Sequence, residues 1–126
     1  MKTDSRLRQT SGFTLVEIMI VVAIIGLLVV IAVPNYVHSG NTTRLNAIYS
    51  NLRVLEGAKE SWAIDNHQVT GANPALTEIQ PYFLRNVRPV YNETYVPNPI
   101  GTPAEAQLPP GSRLPPYPAG AAIQAK

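Results

Sequence analysis

The sequence contains no cysteine, and charged residues make up only 14% of its 126 residues. Without a thiol the chain forms neither a disulfide nor a thiolate metal site, so its composition is compatible with export to an oxidising compartment. Ordinary soluble domains carry about 25% charged residues, so the apolar residues must be concentrated somewhere other than a usual surface. A chain of this length holds one small folded unit, which excludes a multidomain enzyme.

The apolar residues are concentrated in one run near the N-terminus. Between Phe13 and Val33 the only charged residue is Glu17. As an α-helix this run spans about 31 Å at about 1.5 Å per residue, close to the hydrocarbon thickness of a bilayer. Because it is apolar on all sides, its neighbours must be lipid or other apolar helices. We predict a helix that crosses the membrane once.

The segment before this run is basic, because it contains three basic residues, Lys2, Arg6 and Arg8, and one acidic residue, Asp4. Positive charge beside an apolar span keeps that side cytoplasmic, so we expect the rest of the chain to lie outside. A secretory signal is the first alternative. Such a signal has a shorter apolar region that ends in a small-x-small cleavage site.

A second, amphipathic pattern follows the apolar run. Apolar residues recur there at helical spacings of three and four, namely Leu45, Ile48, Leu52, Leu55, Ala58 and Trp62. No strong stop signal occurs before residues 65–71. We therefore predict one helix from Phe13 to about Asn66, about 80 Å long and bent or softened near Gly26, Pro34 and Gly40.

The remaining residues predict a small head that begins with a short helix. Asn73 and Pro74 resemble an N-cap and first helical position, and Thr77 with Glu78 is an alternative start. In either case the helix is expected to continue to Phe83.

The rest of the head is expected to contain little regular structure. Strand-forming residues at Val87–Val90 and Thr94–Val96 predict a minimal antiparallel hairpin that covers Trp62. Eight of the 22 residues from Pro97 to Pro118 are proline. We expect this part to be irregular or polyproline-like and to contain no sheet.

The junction before the apolar run carries two features with chemical meaning. Gly12 offers a protease an unbranched, accessible backbone, and cleavage after it would make Phe13 the new N-terminus. Glu17 lies about 6 Å into the apolar helix, where an unpaired carboxylate costs several kcal/mol. The new amine would attract it by up to about 4 kcal/mol at an effective dielectric near 20. The pair can form within one chain, four residues apart on one helix face, or between neighbouring chains.

The run GFTLVEIMIVVAIIGLLVVIAVPNY, from Gly12 to Tyr36, resembles the class III signal of the type IV pilin family. That family includes the pseudopilins of type II secretion. The resemblance implies cleavage between Gly12 and Phe13 by a prepilin peptidase and N-methylation of Phe13. It also implies assembly into a filament, with Glu17 setting the register and Gly26 and Pro34 loosening the packed helix.

The resemblance also implies a fold class and partners. We expect an α+β, pilin-like chain with a cleaved leader (1–12), a membrane-spanning or filament-core half helix (13–34), an amphipathic half helix (35–67) and a head (68–126) with a proline-rich tail (97–126). The implied partners are identical or related subunits, the lipid bilayer, the peptidase and methyltransferase, and an inner-membrane platform with a cytoplasmic ATPase.

Several features restrict the function further. No aspartate follows Asp65 and no cysteine pair is present, so neither the calcium site of some pseudopilins nor the disulfide of many pilins is expected. His38 and His67 are far apart and have no ligand cluster, which favours solvated or capping roles. We expect no cofactor, no metal and no enzymatic activity. Without the leader, the chain has seven basic and seven acidic residues. This even balance of charge argues against nucleic acid as a partner.

The sequence therefore predicts a prepilin that becomes a structural subunit of a type IV pilus, anchored in the bacterial inner membrane and then present at the cell surface or in the periplasm. A type II secretion pseudopilin is the close alternative. An uncleaved, membrane-anchored interaction module is the alternative from another class.

Overall fold

The computed structural model describes residues 11–126. The predicted leader lies almost entirely outside these residues. The chain divides into two compact units, Met1–Val37 and His38–Lys126. The elements are the helices α1 (Leu15–Asp65) and α2 (Leu76–Ile79), a 3-10 turn (Gln80–Tyr82), and the strands β1 (Thr94–Val96), β2 (Glu105–Gln107) and β3 (Ala122–Gln124). The predicted α+β class is confirmed.

Helix α1 confirms the long N-terminal helix, with bounds close to those predicted. It begins at Leu15, two residues later than expected, because Thr14 occupies the N-cap position. The helix continues without interruption through Gly26, Pro34 and Gly40. Since Pro34 has no N–H, the carbonyl of Val30 loses its usual helical donor.

Helix α1 ends in a Schellman motif centred on His67. The N–H of Gln68 donates to the carbonyl of Ala63 at 2.8 Å, and the N–H of His67 donates to the carbonyl of Ile64 at 3.3 Å. His67 has a φ of 49°, the left-handed conformation that commonly terminates a helix. His67 therefore has the capping role that the sequence predicted as one of two alternatives.

The second unit has one hydrophobic core. The predicted apolar face of α1 and the head both contribute residues to this core. Ile48, Leu52, Leu55 and Ala58 are buried, and Trp62 packs against them while remaining partly exposed. The head contributes Ile79, Tyr95, Ala104, Ala106, Leu108, Leu114 and Ile123. The periodicity of three and four residues thus identified the buried face of the helix correctly.

The short helix occupies the predicted region but starts elsewhere. Ala75 is the N-cap of α2, between the two predicted starts, and Glu78 Oε2 accepts the Ala75 N–H at 2.7 Å. Asn73 is therefore not a cap. Pro81 cannot donate the next backbone hydrogen bond, and the chain tightens into the 3-10 turn there.

The strands form an antiparallel sheet in the order β1-β2-β3. Tyr95 pairs with Ala106, which pairs with Ile123. All three side chains are buried, and at least one flanking residue in each strand is exposed. The sheet therefore presents one apolar face to the core, as the alternation of a half-buried sheet requires.

Two sequence predictions about the sheet are wrong. β1 does not pair with Val87–Val90, because Pro89 has no N–H and the Glu93 carboxylate accepts the N–H of Val90. The proline-rich region also contains sheet, since β2 lies within a proline-free stretch between Pro103 and Pro109 and β3 follows the last proline. Prolines limit the strands to three residues there without preventing pairing.

Buried polar contacts hold the segment before β1 against α1. Asn51 Nδ2 donates to Tyr95 Oη at 2.9 Å, and Tyr95 Oη donates to Glu93 Oε1 at 2.5 Å. Glu93 also accepts the backbone N–H groups of Val90 and Tyr91. Burial opposes ionisation of Glu93, but the hydrogen bonds outweigh burial and hold its pKa below the ordinary value.

A buried lysine holds the loop before β2 in the same way. Lys59 is only 2% exposed, and its Nζ donates to the carbonyl of Thr102 at 2.7 Å and to Glu56 Oε1 at 3.1 Å. Glu56 Oε1 also accepts the N–H of Ala104. In this loop Gly101 has a φ of 92°, a left-handed conformation that favours glycine, and a Cβ there would also displace the methyl group of Thr70, 2.8 Å away.

The tyrosines Tyr49 and Tyr117 tie the proline-rich loop to α1. Their hydroxyl oxygens are 2.7 Å apart. This hydrogen bond, together with burial, raises the pKa of Tyr49 to about 12. Lys126 Nζ lies 5.4 Å from the centroid of the Tyr49 ring, within the range of a cation–π contact.

Candidate functional site

The first part of α1 presents a continuous apolar surface. Every residue from 11 to 40 is exposed, and the large apolar side chains from Phe13 to Val37 are between 49% and 85% exposed. Within the described residues, α1 is a helix long and apolar enough to cross a membrane. An isolated apolar helix is not stable in water, so this surface requires an apolar partner.

Glu17, the only charge on this surface, is part of a capping box. Its Oε2 accepts the N–H of Thr14 at 2.7 Å and the Thr14 hydroxyl at 2.9 Å. In return the Glu17 N–H donates to Thr14 Oγ1 at 3.2 Å. Both residues thereby satisfy backbone donors that the helix N-terminus leaves free.

The sequence interpretation missed this cap, although its signal is present. Thr14-Leu15-Val16-Glu17 has the Ser/Thr-x-x-Glu spacing immediately before an apolar run. The interpretation considered only an ionic role for Glu17. It also placed Phe13 and Glu17 on one helix face, which is wrong for this structure because Phe13 precedes the helix.

The predicted cleavage site has an accessible backbone. Ser11 and Gly12 are exposed and non-helical, and Phe13 is 85% exposed. The Thr14 N–H already contacts the Glu17 carboxylate, so an amine created at Phe13 would lie one residue from that carboxylate. The structure thus brings together three of the predicted site residues, Gly12, Phe13 and Glu17.

Gly26 and Pro34 lie apart from this cluster, farther along the same exposed helix. A Cβ at Gly26 would meet no atom of the described chain within 4 Å, so packing within the chain does not explain the glycine. Neither residue supports a helix well, yet both lie inside one. The role of both residues in loosening the packed helix stays a prediction.

Side chains suited to metal binding do not cluster in the part of the chain that the structure describes. His38 contributes only its backbone carbonyl, which accepts the Thr42 hydroxyl at 3.2 Å. His67 caps α1, as described above.

Comparison with known proteins agrees with this site. Residues 7–33 match the family model described as the prokaryotic N-terminal methylation motif. The match covers Arg8 of the basic segment, Gly12, Phe13, Glu17 and the apolar half of α1. No solved structure matches the chain.

Curated relatives include pilins and a secretion protein. The chain is 38% identical over 73 residues to a fimbrial protein of Pseudomonas aeruginosa, which covers 57% of this chain and 47% of the relative. It is 35% identical over 68 residues to type II secretion system core protein G of Escherichia coli, covering 54% and 47%. It is 36% identical over 86 residues to a type IV major alpha-pilin of Moraxella bovis, covering 66% and 49%.

The chain spans about half the length of these relatives. Each alignment covers 54–66% of this chain. The chain therefore carries the prokaryotic N-terminal methylation motif and is similar to type IV pilins and type II secretion pseudopilins.

Proposed function

We propose that this chain is made as a prepilin and becomes a structural, non-catalytic subunit of a type IV pilus or a related pseudopilus. The observation that carries the proposal is the exposed apolar surface of α1, interrupted by a single carboxylate at Glu17. Burial of apolar surface contributes about 25 cal/mol per Å², so the helix is stable only in lipid or among other apolar helices. Parallel copies of α1 provide the second environment.

Processing prepares α1 for its transfer from lipid to a bundle of other copies of α1. A prepilin peptidase cuts between Gly12 and Phe13 and removes the basic residues Lys2, Arg6 and Arg8 with the leader. A methyltransferase modifies the amine of Phe13. The exposed, non-helical backbone around Gly12 supports cleavage at this bond.

Assembly then depends on the Glu17 carboxylate and the Phe13 amine of neighbouring copies. An unpaired charge in an apolar core is costly, so a copy docks where its Glu17 meets an amine. Gly26 and Pro34 let α1 loosen locally as copies pack. Because lipid and a helix bundle are both apolar, the net driving force is small, and a membrane platform with a cytoplasmic ATPase supplies the energy.

Before assembly the chain is a single-pass protein of the bacterial inner membrane. The positive charge of the leader keeps the N-terminus cytoplasmic, and the head lies outside. Afterwards the subunit is part of a filament at the cell surface or in the periplasm.

A secretion pseudopilus is the second candidate, and one observation favours it. The relative named type II secretion system core protein G matches the chain over nearly the same length and identity as the fimbrial protein. Electron microscopy of material sheared from cells separates the two candidates, because a pilus is recovered as long surface fibres and a pseudopilus is not.

Intact-mass measurement and N-terminal sequencing of the protein from its native membrane test the proposal. We expect a chain that starts at N-methylated Phe13. Gly12→Val should block processing because a branched side chain obstructs the cleaved bond, whereas the neighbouring change Ser11→Ala should not. A wild-type chain that still starts at Met1 in cells with an active peptidase would contradict the proposal and favour the anchored interaction module.

A further inference from the structure

Strand β1 lies at an edge of the sheet in the head. In the order β1-β2-β3 it pairs with β2 on one side only. In an antiparallel pair, residues that exchange two backbone hydrogen bonds alternate with residues whose N–H and C=O groups point away from the partner strand. The pairing between β2 and β3 therefore decides which backbone groups of β1 face the open edge.

This alternation turns the backbone of Tyr95 outward. The N–H of Ala125 donates to the carbonyl of Ala104 at 2.9 Å, so Ala106, two residues later, also exchanges its hydrogen bonds with β3. Ala106 is the partner of Tyr95 in β1, and its N–H and C=O are turned away from that strand. The N–H and C=O of Tyr95 therefore point away from β2. They take part in none of the backbone hydrogen bonds that the described residues form outside the sheet.

A cavity of about 340 Å³ lies beside this open edge. Its described lining includes Thr94 and Tyr95 but no residue of β2 or β3, so the cavity is on the side of β1 that faces away from β2. The other walls come from α2, the 3-10 turn and the segment 83–89. The volume is at the lower end of the range for ligand pockets, which suits a single large side chain.

The lining of this cavity favours a neutral, apolar occupant. Its apolar residues outside β1 are Leu76, Phe83, Val87 and Pro89. The charged residue in the lining is Glu93. Its carboxylate already accepts the N–H groups of Val90 and Tyr91 and the hydroxyl of Tyr95. Because these bonds use both carboxylate oxygens, Glu93 has little capacity left to pair with a charged group, which would be costly to bury here.

The open edge and the cavity can be filled by the same segment. A residue that pairs with Tyr95 in an added strand has its side chain on the same face of the sheet as Tyr95. That face is the core face, because the Tyr95 side chain is buried in the core. Phe83 and Val87 of the cavity wall pack against the same core. The side chain opposite Tyr95 therefore enters the cavity.

We propose that an extended segment of another polypeptide adds to the edge of β1, exchanges two hydrogen bonds with Tyr95 and inserts one large apolar side chain into the cavity. In strand addition of this kind the backbone contributes affinity and the pocket contributes selectivity. Pro97 has no N–H, so the contact is limited to a short segment. The inference goes beyond the proposed filament function and does not depend on it.

The sheet of a second copy does not supply this segment. At its other edge, Ile123 bonds to Ala106, so the outward backbone groups of β3 belong to Ala122 and Gln124. Their side chains are on the exposed face. Pairing β3 with β1 would put the two cores on opposite faces and offer the cavity a small or polar side chain. The β1 strand of a second copy would offer Tyr95, which is already buried in its own core.

Amide hydrogen exchange, measured by NMR on the full chain in detergent micelles, tests the proposal. The probe is the peptide acetyl-Thr-Thr-Phe-Thr-Thr-amide, because threonine favours an extended backbone and the phenylalanine suits the cavity. In the chain alone, the Tyr95 N–H should exchange faster than those of Thr94 and Val96, which bond to β2. Excess peptide should slow exchange at Tyr95 at least about fivefold and change the other two less than about twofold.

Two altered peptides separate strand addition from simple apolar binding. N-methylation of the phenylalanine removes the N–H that donates to the Tyr95 carbonyl and should weaken binding about tenfold. Replacing the phenylalanine by alanine empties the cavity and should also weaken binding about tenfold. Binding of the N-methylated peptide as tight as that of the parent would overturn the inference, and so would unchanged Tyr95 exchange in excess parent peptide.

Two leucines in the same region of the head provide matched variants of the chain. Leu76 lines the cavity and is 41% exposed, whereas Leu84 is 95% exposed and is not part of the lining. Leu76→Glu places a charge at the cavity and should weaken peptide binding about tenfold. Leu84→Glu should bind within about twofold of wild type. Equal binding by the two variants would contradict the proposed position of the peptide. The altered peptides test the wild-type chain and so do not depend on the folding of either variant.

The chain without peptide distinguishes the remaining occupants of the edge. Slow exchange at Tyr95 that becomes fast on dilution would show that a second copy covers β1, and slow exchange at every concentration would show that the edge is closed. Either result overturns the inference. Failure of the proposed function is a separate outcome, because a chain that never assembles into filaments can still bind the peptide.

Discussion

Glu17 combines two interactions that different substitutions can separate. Its carboxylate caps the first turn of α1 through Thr14, and we propose that its charge pairs with the Phe13 amine during assembly. The cap needs an oxygen acceptor, whereas the pairing needs a negative charge. A neutral amide preserves the first property and removes the second.

We therefore expect Glu17→Gln to abolish filaments while membrane insertion is unchanged, because an amine left unpaired in an apolar core costs about 3 to 5 kcal/mol. Glu17→Leu should have the same effect. Thr14→Ala removes the capping hydroxyl at a cost of about 1 kcal/mol and should leave filaments in place. Sheared filament and membrane-bound subunit are measured on immunoblots. Equal loss in Thr14→Ala and Glu17→Gln would show that the cap, rather than the charge, is what assembly requires.

At the scale of elements, the second half of α1 organises a head that has little regular structure of its own. The three strands have three residues each, and such short strands have limited stability alone. Buried side chains of α1 compensate for this. Asn51 reaches Tyr95 and Lys59 reaches the carbonyl of Thr102, so the segment before β1 and the loop before β2 are both attached to the helix.

The Glu93 carboxylate, which accepts the Tyr95 hydroxyl, makes the stability of the head depend on pH. Its pKa is lowered in the folded state, so its stabilising contribution is present above the ordinary value of 4.5 and is lost as the pH falls through the folded value. We expect Glu93→Gln to cost about 1 to 3 kcal/mol at pH 7. The difference from wild type should shrink below pH 4.5.

Urea unfolding of the full chain in detergent, followed by the fluorescence of Trp62, measures this effect. Trp62 is the sole tryptophan and packs against the core. Glu105→Gln makes the same chemical change at a more exposed carboxylate and should cost less than about 0.5 kcal/mol. A constant difference between Glu93→Gln and wild type from pH 7 to pH 3 would contradict the ionic role of Glu93.

At the scale of the whole molecule, the chain consists of two units with different requirements. The residues from Phe13 to Val37 expose apolar side chains and need a partner. In contrast, the core that runs from Ile48 to Ile123 is contained in the second unit. The first unit therefore carries the exposed apolar surface on which the proposed anchoring and assembly depend, and the second carries the folded head.

We expect a fragment of residues 38–126 to be soluble and monomeric and to unfold cooperatively, whereas the full chain requires detergent. Gel filtration and urea unfolding measure these properties. Leu52 is fully buried, so Leu52→Ala in the fragment should cost about 2 to 5 kcal/mol, while Arg53→Ala at the exposed neighbouring position should cost little. Aggregation of the fragment, or equal unfolding midpoints for these two variants, would show that the head depends on the first unit.

The sequence alone determined the features that depend on local pattern. The apolar run from Phe13 to Val33 predicts a membrane-length helix, and the spacing of three and four residues predicts the buried face of the second half of α1. The motif from Gly12 to Glu17 indicates the similarity to pilins and pseudopilins. The same local reasoning could also have found the capping box of Thr14 and Glu17, because its signal is four consecutive residues.

Only the tertiary structure decided which segments pair and which polar groups are buried. Val87–Val90 has the residues of a strand, yet Glu93 takes its backbone donors, and β1 pairs with a strand inside the proline-rich region instead. Similarly, the contact between the Arg44 guanidinium and the Tyr91 ring becomes visible only in the folded chain. These outcomes depend on contacts between residues far apart in the chain, where competing partners differ by little free energy and the packed core selects among them.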